Sequence, residues 1–349
     1  MDVNLVTPHA VYNYGALLQA YGLRECLTGM GYDVSVYDFP LRKESRPHGL
    51  HEWMHVVLSK CCRALHRKSL REGDRAFDRF IEQFPLNQEA NSPLYLVGSD
   101  QVWNPYNIDS VFSLEFTAPE SRRASYAASM GISRIPEEFH SRFSSFLAGI
   151  ESLSVREPEA AKAIRELTGR DCGVHIDPSF LLSAQQWRSV EQPLPIEEPY
   201  ILVYALHMPK HLNQVVKECK KKYGCKVVLI DRRGYLNHLI ACDIAVRNAG
   251  PREFLWLIDH ARCVVTTSFH GTAFSTIFHK EFFSLVNPAA PSRINNLLNI
   301  LQLSQRGLGG AEVPDLPEIS YQTVDERIRR EVDKSKQYLR NVAGEVMTQ

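Results

Sequence analysis

The sequence predicts an α/β fold built as two doubly wound domains with a cleft between them. Three observations carry this. The chain has 349 residues, more than one hydrophobic core usually organises. Short apolar strands alternate with amphipathic helical stretches in two separate runs. Between the runs lies QPLPIEEP, residues 192–199, a proline-rich segment without apolar periodicity.

The first run opens with VNLVTP, a buried-type strand. The loop HAVYNYG and the helix ALLQAYGLRECLTGMGY follow, and Gly31 ends the helix before a second strand, DVSVYDF. Strand, helix and strand in that order are the unit of a parallel sheet. LYLVG, RRASYAAS, SLSVRE and VHIDPS continue the strands, with a helix at EEFHSRFSSFLAGIE. Domain one thus covers residues 1–190. In the second run YILVYAL, KVVLID, VVTTSF and FFSLVN are strands; KHLNQVVKECKKKYG, PREFLWLIDHARC, GTAFSTIFHK and RINNLLNILQL are helices. Domain two covers 191–349 and closes with a helical tail. Ligands of open α/β sheets bind beyond the carboxyl ends of the strands, so chemistry is expected in the cleft between the two sheets.

Composition narrows the partners. Lys and Arg total 40 and Asp and Glu total 40, a balance that argues against a general nucleic-acid binder. No apolar run approaches the length of a membrane span, and MDVNLVTPHA lacks the charged and then apolar regions of a signal peptide, so a cytoplasmic protein is expected. The cysteines are scattered without C-x-x-C spacing and are expected to serve as reduced, small apolar residues.

Residues 41–75 interrupt domain one with a basic insertion. Leu50, Met54, Val57, Leu58, Cys61 and Leu65 recur at helical spacing, opposite His55, Ser59, Arg63, His66 and Arg67. HEWMH, residues 51–55, matches the H-E-x-x-H string of zinc metalloproteases. Zinc needs a third protein ligand and a setting that is not cationic. Here the face carrying His51 and His55 continues into Arg63 and Arg67, and no G-x-x-H follows. No metal is expected. Two roles stay open for the helix: peripheral contact with an anionic membrane through Arg63, Arg67 and Lys68, or packing on domain one with its charges in water.

Four loops at strand ends should reach the cleft. In the first, Asn13, Tyr14 and Gly15 either cap a helix or let backbone N–H groups approach a ligand. In the second, GSDQVWNP, the residues Asp100, Gln101, Trp103 and Asn104 combine hydrogen-bonding groups with a flat apolar face, a mixture suited to sugar rings; a loop folded on its own Asp is the alternative. In the third, Arg156 follows the strand SLSV and offers a fork to a carboxylate or phosphate, or a salt bridge to Glu157 or Glu159. The fourth, TTSFHGT, places Ser268, Phe269, His270, Gly271 and Thr272 between a strand and a helix start, where an imidazole meets free N–H groups and a dipole that favours an anion.

NYGALLQAYGL, VGSDQVWNP, SVREP, DPSFLL, VVTTSFHGTAFS and SRINNLLNILQL, in this order and spacing, resemble the polysaccharide pyruvyl transferase family over roughly residues 5–305. The resemblance implies two Rossmann-like domains in a GT-B-like arrangement, domain one on the acceptor side and domain two on the donor side. It implies transfer of pyruvate from phosphoenolpyruvate, a co-substrate rather than a cofactor, to a sugar or lipid-linked oligosaccharide, often as a cyclic ketal. Relatives carry an arginine, an apolar residue and a histidine at the strand end where this chain has Ser268, Phe269 and His270. The histidine matches and the arginine does not.

On that reading His270 is the catalytic acid and base, while Arg156, Ser268, Phe269, Gly271 and Thr272 bind the donor. Asn13, Tyr14, Gly15, Asp100, Gln101, Trp103 and Asn104 bind the acceptor. Arg232 and Arg233, just after the strand KVVLID, are the expected source of the charge missing at Ser268, or else solvated arginines. Two other functions fit the same fold: a glycosyltransferase with a nucleotide-sugar donor, and a non-catalytic sugar-binding module.

Overall fold

A computed structural model describes residues 2–40, 64–197, 199–286 and 293–344. The first sheet has the order β3-β2-β1-β4-β5, from strands β1 (Asp2–Val6), β2 (Asp33–Tyr37), β3 (Leu86–Asn87), β4 (Leu94–Val97) and β5 (Arg122–Ser125). The second has the order β10-β9-β8-β11-β12-β13, from β8 (Tyr200–Tyr204), β9 (Lys226–Ile230), β10 (Ile244–Val246), β11 (Cys263–Thr266), β12 (Glu281–Leu285) and β13 (Gly307–Leu308). Every pairing in both sheets is parallel. β4, β8, β11 and β12 are buried along their whole length, as parallel strands covered on both faces must be. A short parallel pair, β6 (Ser154–Val155) with β7 (Gly173–Val174), attaches beside β5 through bridges from Ala124 to Ser152 and from Ala128 to Val155.

Helix boundaries follow local chemistry. Asn13 caps α1 (Tyr14–Gly29) by accepting from the Ala16 N–H at 3.2 Å, and past its end Gly31 takes φ 93°, where a side chain would be strained. In domain one α2 (Arg67–Ile81), α3 (His140–Ala148), α4 (Pro158–Thr168) and α5 (Ala184–Arg188) follow. Domain two adds α6 (Leu212–Tyr223), α7 (Pro251–Asp259), α8 (Phe269–Ile277) and α9 (Arg293–Leu301).

The domains share a continuous apolar core. Tyr14 of α1 stacks on Phe254 of α7 with ring centroids 4.5 Å apart, meets Phe77 and Tyr204 edgewise or tilted, and donates its hydroxyl to the Ala249 carbonyl at 2.8 Å. Arg232, after β9, pairs with Asp74 of α2 and donates to the carbonyls of Leu70 (3.1 Å) and Arg247 (2.6 Å). The tail is α10 (Tyr321–Gly344). It begins against domain two, where Tyr321 stacks on His279, and ends on domain one, where the Tyr338 hydroxyl donates to the carbonyls of Ser125 (2.8 Å) and Ser152 (3.1 Å).

Most of the basic insertion, including HEWMH, lies outside the described residues. Of its expected cationic face Arg67 and Lys68 are described and exposed, as is Leu65. Among the described residues no helix is long and apolar enough to cross a membrane.

Candidate active site

Strand ends of both domains converge on one buried polar cluster. β6 delivers Arg156 and Glu157 at its carboxyl end, and β7, paired with it in register, leads through His175 and Ile176 to Asp177. Adjacent strand ends therefore set Arg156 beside Asp177, and Arg156 Nη1 pairs with Asp177 Oδ2. The other oxygen of Asp177 accepts from the Ser179 N–H (3.0 Å) and hydroxyl (2.6 Å), which holds the carboxylate in place. Glu157 lies 3.5 Å from Arg156 Nε and accepts from the Ser129 hydroxyl at 2.6 Å.

Domain two contributes α8, which starts at Phe269 directly after β11. Ser268 caps it, accepting from the Gly271 N–H at 3.3 Å. The cap sends His270 toward domain one, with Nε2 3.7 Å from Asp177 Oδ2. That separation is electrostatic contact, too long for a hydrogen bond. Phe269 lies under the Arg156 guanidinium, 4.4 Å from ring centroid to Cζ. Also in domain two, α9 begins with Arg293, whose Cζ is 5.9 Å from the same ring and whose Nη1 is 3.7 Å from Asp100 Oδ1 of domain one.

Burial would raise the pKa of Asp177, but the charges of His270 and then Arg156 outweigh it and hold the carboxyl far below its usual range. For Arg156 burial acts to lower the pKa, and Asp177 and Glu157 more than offset it. Arg156 Nε and Nη2, His270 Nε2 and Glu157 Oε2 are all buried without a hydrogen-bond partner among the described residues. Buried polar groups are normally satisfied. Two guanidinium donors, an imidazole nitrogen and one acceptor left open in one place are what a polar, anionic ligand would fill.

The expected residues divide in the folded chain. Gly15, Arg156, Phe269 and His270 come together, and Asp100 joins them through Arg293. Gly15 acts through space rather than through its N–H: a Cβ there would lie 2.0 Å from His270 Nδ1. Gln101 is exposed and Asn104 half-buried, its side chain accepting from the Tyr106 N–H. Asn13 is spent on capping α1.

Other positions need correction. Trp103 offers no stacking face to a sugar, because the indole is fully buried and donates to the Phe112 carbonyl at 3.1 Å. Tyr14 is closed into the interdomain aromatic cluster. Thr272 is fully buried, bonded to the Ser268 carbonyl and the Ser284 hydroxyl. Gly271 presses α8 against β11, since a Cβ would meet Thr266 Oγ1 at 2.3 Å. Arg232 is engaged between the domains, and the exposed Arg233 donates to the Leu206 carbonyl at 2.8 Å. Arg232 is therefore committed to the interdomain contact.

A sequence model of the family described as polysaccharide pyruvyl transferase matches residues 13–288. The chain belongs to the polysaccharide pyruvyl transferase family. The matched stretch contains Gly15, Arg156, Asp177 and His270. No curated protein matches the transferase in sequence. Among solved structures, UDP-GlcNAc 2-epimerase from Methanocaldococcus jannaschii is similar at TM-score 0.50 and 13% identity, covering 96% of this chain and 94% of that one. The enzyme of the same name from Neisseria meningitidis gives 0.49 and 14%, with 98% and 94% covered. The Escherichia coli heptosyltransferase WaaC gives 0.43 and 13%, with 95% and 100% covered. Such identities speak to the fold alone, and the fold is two Rossmann-like domains in a GT-B-like arrangement.

Sequence reasoning passed over Asp177 and Arg293, and named Glu157 only as a salt-bridge partner of Arg156, a contact present at 3.5 Å. Asp177 and Arg293 stand inside DPSFLL and SRINNLLNILQL, both of which were matched as motifs with no role given to their charged members. Among the described residues Glu191, Asp259 and His260 bring possible metal-ligand atoms within 4.8 Å of one another at the far end of α7. Arg188 (2.7 Å) and Lys280 (3.4 Å) already pair with Asp259 there, a cationic setting that disfavours a metal ion.

Proposed function

We propose that the transferase moves the pyruvyl group of phosphoenolpyruvate onto a sugar of a polysaccharide or lipid-linked glycan precursor, as a cyclic ketal. The observation that carries this reading is the set of open buried nitrogens, Arg156 Nε and Nη2 with His270 Nε2, gathered around Asp177. Arg156 would take a carboxylate or phosphate oxygen of the donor. His270, held between Gly15 and Asp177, would protonate the methylene carbon, which makes the adjoining carbon electrophilic. One sugar hydroxyl adds to that carbon, and a neighbouring hydroxyl then displaces inorganic phosphate to close the ketal. Of the two hydroxyl protons lost, one is balanced by the proton gained at the methyl carbon and the other leaves with the inorganic phosphate, and nothing is oxidised or reduced. Glu157 Oε2, buried and open, is placed to accept a hydroxyl proton.

No cofactor or metal takes part on this reading. Asp100, Gln101 and Asn104 stay as candidate acceptor contacts. The exposed Leu65, Arg67 and Lys68 support peripheral contact with an anionic membrane, where a lipid-linked acceptor would be met.

The test is incubation with phosphoenolpyruvate and candidate glycans, following phosphate release together with the mass of the glycan. His270→Ala should lose about two or more orders of magnitude in turnover with the fold retained. A variant with near-normal turnover removes His270 from the mechanism. Stabilisation by a nucleotide sugar but not by phosphoenolpyruvate favours glycosyl transfer instead.

A further inference from the structure

Arg156 is overmatched as a lone anion ligand. Asp177 pairs with its Nη1 and Glu157 lies 3.5 Å from its Nε, so two carboxylates already face one guanidinium. A donor with two anionic groups needs a further cation, and Ser268 supplies none.

We propose that Arg293, at the start of α9, is that cation: it binds the donor anion jointly with Arg156 across the Phe269 ring. This rests on the phosphoenolpyruvate reading above. Both guanidinia lie over the ring, at 4.4 Å for Arg156 and 5.9 Å for Arg293. One comes from each domain, so a shared anion would bridge the cleft. The position of Arg293 is fixed from below and from the side. Ile294, Leu297, Leu298 and Leu301 bury the inner face of α9, while Asn296 donates to Glu159 of domain one at 2.8 Å.

Arg293 is also in an unsettled charge environment. Its contact with Asp100, at 3.7 Å, is about 1 Å longer than a charge-assisted hydrogen bond. Burial and then the charge of Arg156 pull the guanidinium pKa down, partly offset by Asp100, Glu157 and Asp177. An anion placed between the two arginines relieves their repulsion. The α9 start then supplies the charge that an arginine at Ser268 would supply, from the same domain.

The test is calorimetric titration of phosphoenolpyruvate, and separately of inorganic phosphate, into wild type, Arg293→Ala and Arg293→Lys, with melting curves as the check on folding. Arg293→Ala should bind phosphoenolpyruvate roughly ten- to hundredfold more weakly, with Arg293→Lys in between. In turnover the donor KM should rise while the acceptor KM holds, a split that a merely structural role would not give. Unchanged donor binding in Arg293→Ala overturns the assignment and leaves pyruvyl transfer standing. A wild type that binds phosphate but not phosphoenolpyruvate, with the phosphate lost in Arg293→Ala, keeps Arg293 as an anion ligand and overturns the donor. A wild type that binds neither overturns both.

Discussion

Gly15 and His270 occupy each other's space: a Cβ on Gly15 would lie 2.0 Å from Nδ1 of the imidazole and within 2.6 Å of two of its carbons. The first turn of α1 in domain one is therefore the wall against which the candidate catalytic ring of domain two rests. Asp177 stands on the ring's other side. The two domains aim the histidine together.

Gly15→Ala follows directly. The methyl group must push the ring out of its present position beside Asp177, and a displacement of about 1 Å at a reacting group can cost about 100-fold in rate. Turnover should fall by about that factor, while overpacking lowers stability by roughly 1 to 3 kcal/mol. Steady-state kinetics beside a melting curve separate the two effects. Near-normal turnover would show that the ring is not held by α1.

Asp177→Asn keeps the acceptor for Ser179 but turns an N–H₂ group toward Arg156. Removing one partner of a buried pair costs about 3 to 5 kcal/mol. The folded carboxyl is depressed, so its contribution is present above the unfolded value of 3.8 and fades as pH falls below that toward the lower folded value. The stability gap between wild type and Asp177→Asn should thus be full at neutral pH and narrow under acid. Denaturant melts at pH 7 and near pH 3 read it, and a gap independent of pH would mean that the carboxylate charge is not what stabilises the site.

His175 gives a test of how the tail is docked. Its ring stacks on Tyr338 of α10 at 4.4 Å and bonds to the Ser154 hydroxyl at 2.8 Å. Burial, then the charge of Lys334, lowers its pKa from 6.5 to about 4. The unfolded chain takes up a proton below 6.5 that the folded chain refuses until about 4. Stability should decline across that window by on the order of 3 kcal/mol. His175→Gln has no such proton to take up, so it should start lower and decline less over the same window. Equal slopes would assign the acid sensitivity to other groups.

Legibility in the sequence tracked how local each determinant is. Strands such as LYLV and YILVY are apolar because a parallel strand is covered on both faces, and that pattern needs no partner to be read. His270 and Arg156 were legible for a similar reason: Arg156 directly follows β6 and His270 lies in the helix start just past β11, and strand ends are where such sheets bind ligands.

Roles set by contact between distant segments were not legible. Trp103 and Tyr14 carry polar groups on apolar rings, and nothing nearby in sequence says that Phe112 and Ala249 will take those groups into the core. Arg232 and Arg293 look alike as charges near strand or helix ends. One meets Asp74 of α2 and closes the domains together, whereas the other meets Asp100 and the ring of Phe269.

The sequence by itself determined two parallel α/β domains, the family, and the strand-end positions of the imidazole and one guanidinium, because periodicity and capping act over a few residues. Only the tertiary structure decided that Asp177 stands between Arg156 and His270, that Gly15 walls the imidazole, and that Arg293 lies over the ring of Phe269. Those relations join residues that are tens to hundreds of positions apart, and they exist only once both sheets have packed.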